Sequence, residues 1–130
     1  MPDTLAIAFD DADVLDFLNE ASESEFDNAP FGIIGFDDDG IVCRYNATES
    51  RLAGLSPERV LRHPLFTVVA PCMNNYLVAQ RFEDAAAAGA DLDDTIDYVL
   101  TLRMKPVKVK LRLLAQAGGA TRYVLVSRRG

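Results

Sequence analysis

Residues 107–113 alternate strictly between apolar and cationic side chains, in the order Val-Lys-Val-Lys-Leu-Arg-Leu. Successive side chains of a β-strand point to opposite faces of its sheet, so this period of two predicts a strand with one apolar and one cationic face. Such a strand is stable only where other elements cover its apolar face. The chain must therefore contain a sheet with a second layer packed against it.

The rest of the chain supplies the partners of this strand. Two β-rich runs flank the turn Asp-Asp-Asp-Gly, in which Gly40 provides the positive φ of a tight hairpin. Further strands are predicted at 93–103 and 122–127, and helical segments at 11–20, 46–55, 56–61 and 76–89. Two strands before the main helices and three after them predict an α+β fold, with one antiparallel sheet and helices on one face.

The composition suits one compact domain with an additional N-terminal segment. The chain has 130 residues, of which 49% are hydrophobic, enough to form a core. Residues 21–30 are polar and predict a linker. We therefore divide the chain into an N-terminal cap segment, 1–28, and a folded domain, 29–130.

Charge is distributed unevenly along the chain. The net charge is −7, which disfavours nucleic acid as a partner. Residues 1–36 contain nine carboxylates and no Lys or Arg, whereas residues 98–130 contain eight Lys or Arg and no carboxylate. Two interpretations stay open: both ends are simply solvated, or the acidic N-terminal segment docks on the basic C-terminal strands through Phe17, Leu18 and their neighbours.

The sequence shows neither a membrane-spanning helix nor a secretory signal, and this bears on where the protein is expected to be found. No apolar run reaches the roughly 20 residues that a membrane helix needs, and the N-terminus does not resemble a secretory signal. We expect a cytoplasmic protein that does not bind membranes and is a monomer or weak dimer. Two cysteines and one histidine form no plausible metal site.

Cys72 lies in the tetrapeptide Val-Ala-Pro-Cys, directly after Pro71 and just before a predicted helix. The residues alone leave it open whether this thiol is a buried apolar group, a nucleophile or an attachment point. A cysteine enzyme is disfavoured, because the only histidine, His63, lies in a different predicted loop and no Ser/His/Asp pattern is present. Cys43 is predicted to be an apolar residue of the sheet.

Tyr45 and Glu49 are four residues apart, so a helix between them would direct both side chains to one point. A phenol and a protonated carboxyl are both donors and together suit a buried anionic oxygen. Burial beside such an anion would keep Glu49 protonated. The alternative is that this stretch contains only turn capping and a surface charge.

Three segments carry a resemblance to a known family: FGIIGFDDDGIVCRYNATE at 31–49, VAPC at 69–72 and MKPVKVKL at 104–111. In order and spacing they resemble the photoactive yellow protein family, bacterial blue-light receptors with a PAS fold. The resemblance implies a five-stranded antiparallel sheet and an N-terminal helical cap. It also implies p-coumaric acid (4-hydroxycinnamic acid) held as a thioester on Cys72, with its phenolate hydrogen-bonded by Tyr45 and Glu49.

The family's mechanism adds further expectations. Light isomerises the chromophore, Glu49 gives its proton to the phenolate, and the cap loosens to signal to a separate, unidentified downstream protein. The remaining chromophore contacts that the resemblance implies are Ala53, Leu55, Val69, Ala70, Pro71, Leu100, Leu102 and Met104.

This chain departs from the family pattern around those contacts. Ala53 and Leu55 stand where the family usually has threonine and arginine, and Leu100 and Leu102 replace aromatic residues. Met104 is retained. The departures support a second hypothesis: a PAS module of the same fold that is not photoactive and acts by binding another ligand or a protein.

Overall fold

The computed structural model describes residues 7–101 and 106–128. Five antiparallel strands form one sheet with the spatial order β2-β1-β5-β4-β3. The strands are β1 Gly32–Phe36, β2 Val42–Tyr45, β3 Leu92–Leu100, β4 Val107–Ala115 and β5 Arg122–Ser127. The predicted α+β class, with one sheet of five antiparallel strands, is confirmed.

Five helices accompany the sheet in the part of the chain that the structure describes. They are α1 Val14–Glu20, α2 Glu23–Asp27, α3 Ala47–Ala53, α4 Pro57–Val60 and α5 Ala79–Ala88. A π-helical turn at Leu65–Val69 and a 3₁₀ turn at Pro71–Met73 connect α4 to the segment before α5. Within the described parts of the chain, none of these helices has the length and apolar composition needed to cross a bilayer.

Turn chemistry fixes the first hairpin. The Asp37 carboxylate accepts hydrogen bonds from the backbone N–H groups of Asp39 and Ile41, at 2.9 and 3.0 Å. Gly40 follows with φ of 79°, a left-handed conformation that costs glycine little. The turn therefore sets the β1–β2 register and brings Tyr45 to the end of β2.

The two faces of the sheet have separate cores. The helix-side core lies between the sheet and the segments from α3 to α5, and it includes Ile34, Tyr45, Phe82, Leu100 and Leu113. The N-terminal core covers the opposite face with buried side chains of the N-terminal segment and of β1, β4 and β5. Its members are Val14, Leu18, Phe26, Ala29, Phe31, Ile33, Leu114, Tyr123 and Leu125.

The N-terminal segment is held by apolar burial and by cations that bind its backbone. Leu18 is fully buried, and Phe17 packs at the edge of the N-terminal core. Arg112 of β4 donates hydrogen bonds to the carbonyl oxygens of Phe9 and Asp11, at 3.0 and 2.8 Å, and Arg44 of β2 donates to that of Leu18 at 2.6 Å. These guanidinium groups thus bind backbone carbonyls of the acidic segment.

Local expectations needed correction at three places. The linker predicted at 21–30 contains α2, which begins with a capping box between Ser22 and Glu25. The long helix begins at Ala79 rather than near 76, because Asn75 directs the chain through a turn first. Cys43, expected to be an apolar sheet residue, is exposed on the edge strand β2, although its neighbour Val42 is buried.

Candidate functional site

The backbone around Cys72 is fixed by two side chains. The Cys72 carbonyl oxygen accepts hydrogen bonds from the Tyr98 hydroxyl and from the Asn75 side-chain amide, the latter at 3.1 Å. The same amide donates to the Tyr98 hydroxyl at 2.6 Å. Cys72 is partly buried and packs against the helix-side core. Its thiol therefore lies on a restrained turn at the edge of that core.

Cys72 does not begin α5. It lies in the 3₁₀ turn, and the Asn75 side-chain oxygen then accepts hydrogen bonds from the N–H groups of Leu77 and Val78, at 2.9 and 3.2 Å. The helix that was expected just after Cys72 therefore begins further along the chain, at Ala79, and Cys72 lies in a short 3₁₀ turn instead. The other residues of the Val-Ala-Pro-Cys tetrapeptide differ in exposure: Val69 is partly buried, Ala70 is buried and Pro71 is exposed.

A strand–helix junction brings Tyr45 and Glu49 together. Tyr45 is the last residue of β2, and Glu49 lies in the first turn of α3, so the expected helix between them covers only part of the interval. Asn46 caps α3: its side-chain oxygen accepts hydrogen bonds from the N–H groups of Glu49 and Ile33, at 3.0 and 2.9 Å. This cap fixes the direction in which Glu49 enters the interior.

The Tyr45 side chain belongs to the helix-side core, and its hydroxyl donates a 3.0 Å hydrogen bond to the carbonyl oxygen of Leu55. The Ser50 hydroxyl donates to the same oxygen at 2.8 Å. Burial raises the pKa of the Tyr45 phenol, and the nearby charge of Glu49 raises it further. Tyr45 is thus a protonated donor near a second acid, Glu49.

Glu49 is 1% exposed and forms a two-pronged ion pair with Arg128, just after β5. The Nη1 and Nη2 atoms of Arg128 donate to Oε1 and Oε2 of Glu49 at 2.7 and 3.0 Å. Burial raises the pKa of Glu49, while the hydrogen bonds and charge of Arg128 oppose that rise. A Cβ at Gly32 would lie 1.9 Å from Oε1, so β1 leaves space for this carboxyl only with glycine there.

The other expected contacts are divided between described and undescribed parts of the chain. Leu100 is buried in the helix-side core, and Leu55 packs against that core. Ala53 is buried at the end of α3. Leu102 and Met104 lie outside the described residues. The structure thus brings Tyr45, Leu55, Val69, Ala70, Cys72 and Leu100 to one core.

Sequence reasoning missed three residues of this region. Tyr98 and Asn75 hold the Cys72 turn, and Arg128 pairs with Glu49. From the sequence, Asn75 carries no signal beyond its place just before a predicted helix, and Arg128 is one of eight basic residues in 98–130. A signal was present for Tyr98, since Ile96, Tyr98 and Leu100 alternate on the face of β3 that contributes to the helix-side core.

Comparison with known proteins agrees with this architecture. Residues 26–129 match the PAS fold family. Over 122 residues the chain is 31% identical to the photoactive yellow protein of Rhodothalassium salexigens, covering 94% of this chain and 97% of that protein. This chain belongs to the photoactive yellow protein family of PAS domains. The photoactive yellow protein of Halochromatium salexigens is 30% identical over the same shares of the two chains.

Solved structures give the same assignment. The photoactive yellow protein domain of the sensor histidine kinase Ppr from Rhodospirillum centenum is 38% identical, with a TM-score of 0.78. The match covers 85% of this chain and 96% of that domain. A PAS domain from Haloarcula marismortui, 21% identical with a TM-score of 0.62, shares the fold. Proteins of the photoactive yellow protein and PAS families are photoreceptors or sensor modules that interact with partners, and they are not enzymes.

Proposed function

We propose that this protein is a bacterial blue-light photoreceptor that carries a p-coumaroyl group as a thioester on Cys72. One observation supports this proposal above all: the partly buried Cys72 and the buried Tyr45 belong to the same core. The buried Glu49 is close enough for its charge to raise the pKa of Tyr45. When bound, the p-coumaroyl group supplies absorption of visible light and trans-to-cis isomerisation.

The residues present fit that group in their chemistry. Tyr45 offers a phenolic hydroxyl, and burial favours the protonated, donating form of Glu49 by raising its pKa. Two such donors would stabilise a buried anionic ring oxygen. Both side chains have other partners in the structure, the Leu55 carbonyl and Arg128, so holding a ring oxygen requires these bonds to be exchanged.

The proposed signal begins with Glu49. After isomerisation, Glu49 transfers its carboxyl proton to the ring oxygen and becomes a carboxylate. The negative charge thereby moves from the ring oxygen to Glu49, which re-forms its ion pair with Arg128, and this change favours rearrangement around α3. The start of α3 is bonded to the cap segment at Asp27: the Thr48 hydroxyl donates to the Asp27 carbonyl oxygen at 3.1 Å, and the Asp27 carboxylate accepts a hydrogen bond from the Ala47 N–H at 2.9 Å. These contacts support release of the cap segment, 1–28, as the output, read by a downstream cytoplasmic signalling protein.

A second candidate function is a PAS module that is not photoactive. The observation that favours it is the aliphatic surroundings of the site, in which Leu55 and Leu100 occupy the helix-side core. Such a module would take another small ligand, or a protein, through the same fold.

Absorption after reconstitution separates the two candidates. We expect the purified chain to develop a visible absorption band when it is offered an activated ester of p-coumaric acid. In the loaded protein, hydrogen exchange of residues 7–28 should increase under blue light and return in the dark. A chain that stays colourless supports the module without a chromophore. A coloured chain with equal exchange in light and dark would exclude cap release.

A further inference from the structure

Arg128 forms an ion pair with Glu49 of the candidate site, and its N···O distance of 2.7 Å is the shortest among the ion pairs of the described residues. Its guanidinium donates to both oxygens of Glu49, and the two side chains are 16% and 1% exposed. The pair is therefore enclosed, unlike the Lys110–Asp97 pair on the sheet, whose side chains are 51% and 86% exposed. Removing one member of an enclosed pair leaves an uncompensated buried charge.

The charges around Glu49 limit what can bind beside it. Arg128 bonds to the carboxyl from the end of β5, and the Tyr45 phenol at the end of β2 is near enough for the Glu49 charge to raise its pKa. β1 contributes the backbone of Gly32. One cation therefore compensates one anion. A second anion next to an ionised Glu49 would be repelled at short range, in surroundings that screen charges poorly.

We propose that Arg128 is the counter-ion of this binding site and that the site holds one anion at a time. Before loading, that anion is the Glu49 carboxylate. After loading, which rests on the proposed function, it is the ring oxygen of the ligand. The proton balances within the site: the O–H bond of the ring hydroxyl breaks, and an O–H bond forms on a Glu49 carboxyl oxygen. Glu49 is thus the base that ionises the ligand on entry.

This assignment makes the site selective for ligands with an acidic ring hydroxyl. A p-coumaroyl group can give its proton to Glu49 and replace it as the anion that Arg128 compensates. A cinnamoyl group has the same shape without the hydroxyl, so it leaves Glu49 ionised and paired. The two acyl groups therefore form a matched pair of probes.

Infrared titration tests the proposal directly. The infrared carbonyl band of protonated Glu49 is assigned by its loss in Glu49→Gln. The intensity of this band is then measured against pH in the unloaded protein, which gives the midpoint pH of Glu49 ionisation. We expect Arg128→Gln to raise this midpoint by about 1–3 pH units, because a neighbouring cation that favours the carboxylate is removed. Arg81→Gln is the control, since Arg81 pairs with Asp94 on the surface, and it should leave the midpoint unchanged.

The loaded protein provides a second measurement that needs no variant of Arg128. A p-coumaroyl group should raise the Glu49 midpoint in the wild-type chain, whereas a cinnamoyl group should not. An unchanged midpoint in Arg128→Gln would overturn the proposal. If that variant does not fold, equal midpoints with the two acyl groups would overturn it. Failure to load either group would contradict the proposed function, while the unloaded titration would still decide the role of Arg128.

Discussion

The side-chain amide of Asn46 donates a 3.1 Å hydrogen bond to the carbonyl oxygen of Phe26. Asn46 directly follows Tyr45 and caps the helix that carries Glu49, whereas Phe26 belongs to the N-terminal core on the opposite face of the sheet. The same amide donates to the Phe31 carbonyl at 3.1 Å. One fully buried side chain therefore connects the candidate site to the segment proposed as its output.

Removal of this connection should destabilise the fold. Asn46→Ala leaves several buried backbone groups without partners, and each such group costs about 1–3 kcal/mol. We expect the free energy of unfolding, measured with urea, to fall by at least that amount. Asn19→Ala, on the exposed face of α1, is the control and should change it by less than about 0.5 kcal/mol. Equal stabilities of the two variants would contradict the role given to Asn46.

The N-terminal segment should depend on Arg112 and not on Lys110. Both lie on β4 and face the same side, but Arg112 binds the carbonyls of Phe9 and Asp11, whereas Lys110 binds only Asp97 among its described contacts. We expect Arg112→Gln to increase hydrogen exchange in residues 7–20 and Lys110→Gln to leave it near the wild-type level. Similar exchange in both variants would show that these carbonyl contacts do not hold the segment.

Glu49 should make stability depend on pH. Because its folded pKa is raised above the ordinary value of 4.5, the folded protein binds this proton more tightly than the unfolded chain does. The free energy of unfolding of the wild type, relative to Glu49→Gln, should therefore fall as pH rises from about 4.5 through the folded pKa. Urea denaturation across that range provides the test. A constant difference would mean that the folded pKa of Glu49 is not raised.

The colour of the loaded protein should respond to both donors. Glu49→Gln replaces a carboxylic acid by an amide, a weaker donor that stabilises an anionic ring oxygen less, so we expect a shift of the absorption to longer wavelength. Tyr45→Phe should also shift the absorption and raise the apparent pKa of the chromophore, because one donor is lost. Visible spectra over a pH titration measure both effects. Parental spectra in both variants would mean that neither residue contacts the chromophore.

Local sequence patterns were sufficient for the sheet. The alternation at 107–113 identified β4, and Gly40 identified the first hairpin, because strand period and positive φ are properties of short segments. The same reasoning missed α2, although Ser22 and Glu25 have the spacing of a capping box. The polar composition of residues 21–30 favours a linker, but the capping box fixes a helix there in spite of it.

The candidate site was only partly predictable, because its partners are distant in sequence. Arg128 and Glu49 are 79 residues apart and meet only because β5 lies beside β1, against which α3 packs. No local pattern distinguishes Arg128 from the other basic residues near the C-terminus. Tyr45 and Glu49 were identified from their spacing and from the family resemblance, but their present partners depend on tertiary packing.

Intact-mass measurement after reconstitution shows whether Cys72 carries the proposed thioester. The wild-type chain, Cys72→Ala and Cys43→Ala are each treated with the activated ester of p-coumaric acid. Cys43 is the matched control, because it is the more exposed of the two thiols and reagent access alone would favour it. We expect one p-coumaroyl adduct in the wild type and in Cys43→Ala, and none in Cys72→Ala. An adduct that persists in Cys72→Ala, or its absence from the wild type, would exclude Cys72 as the attachment point.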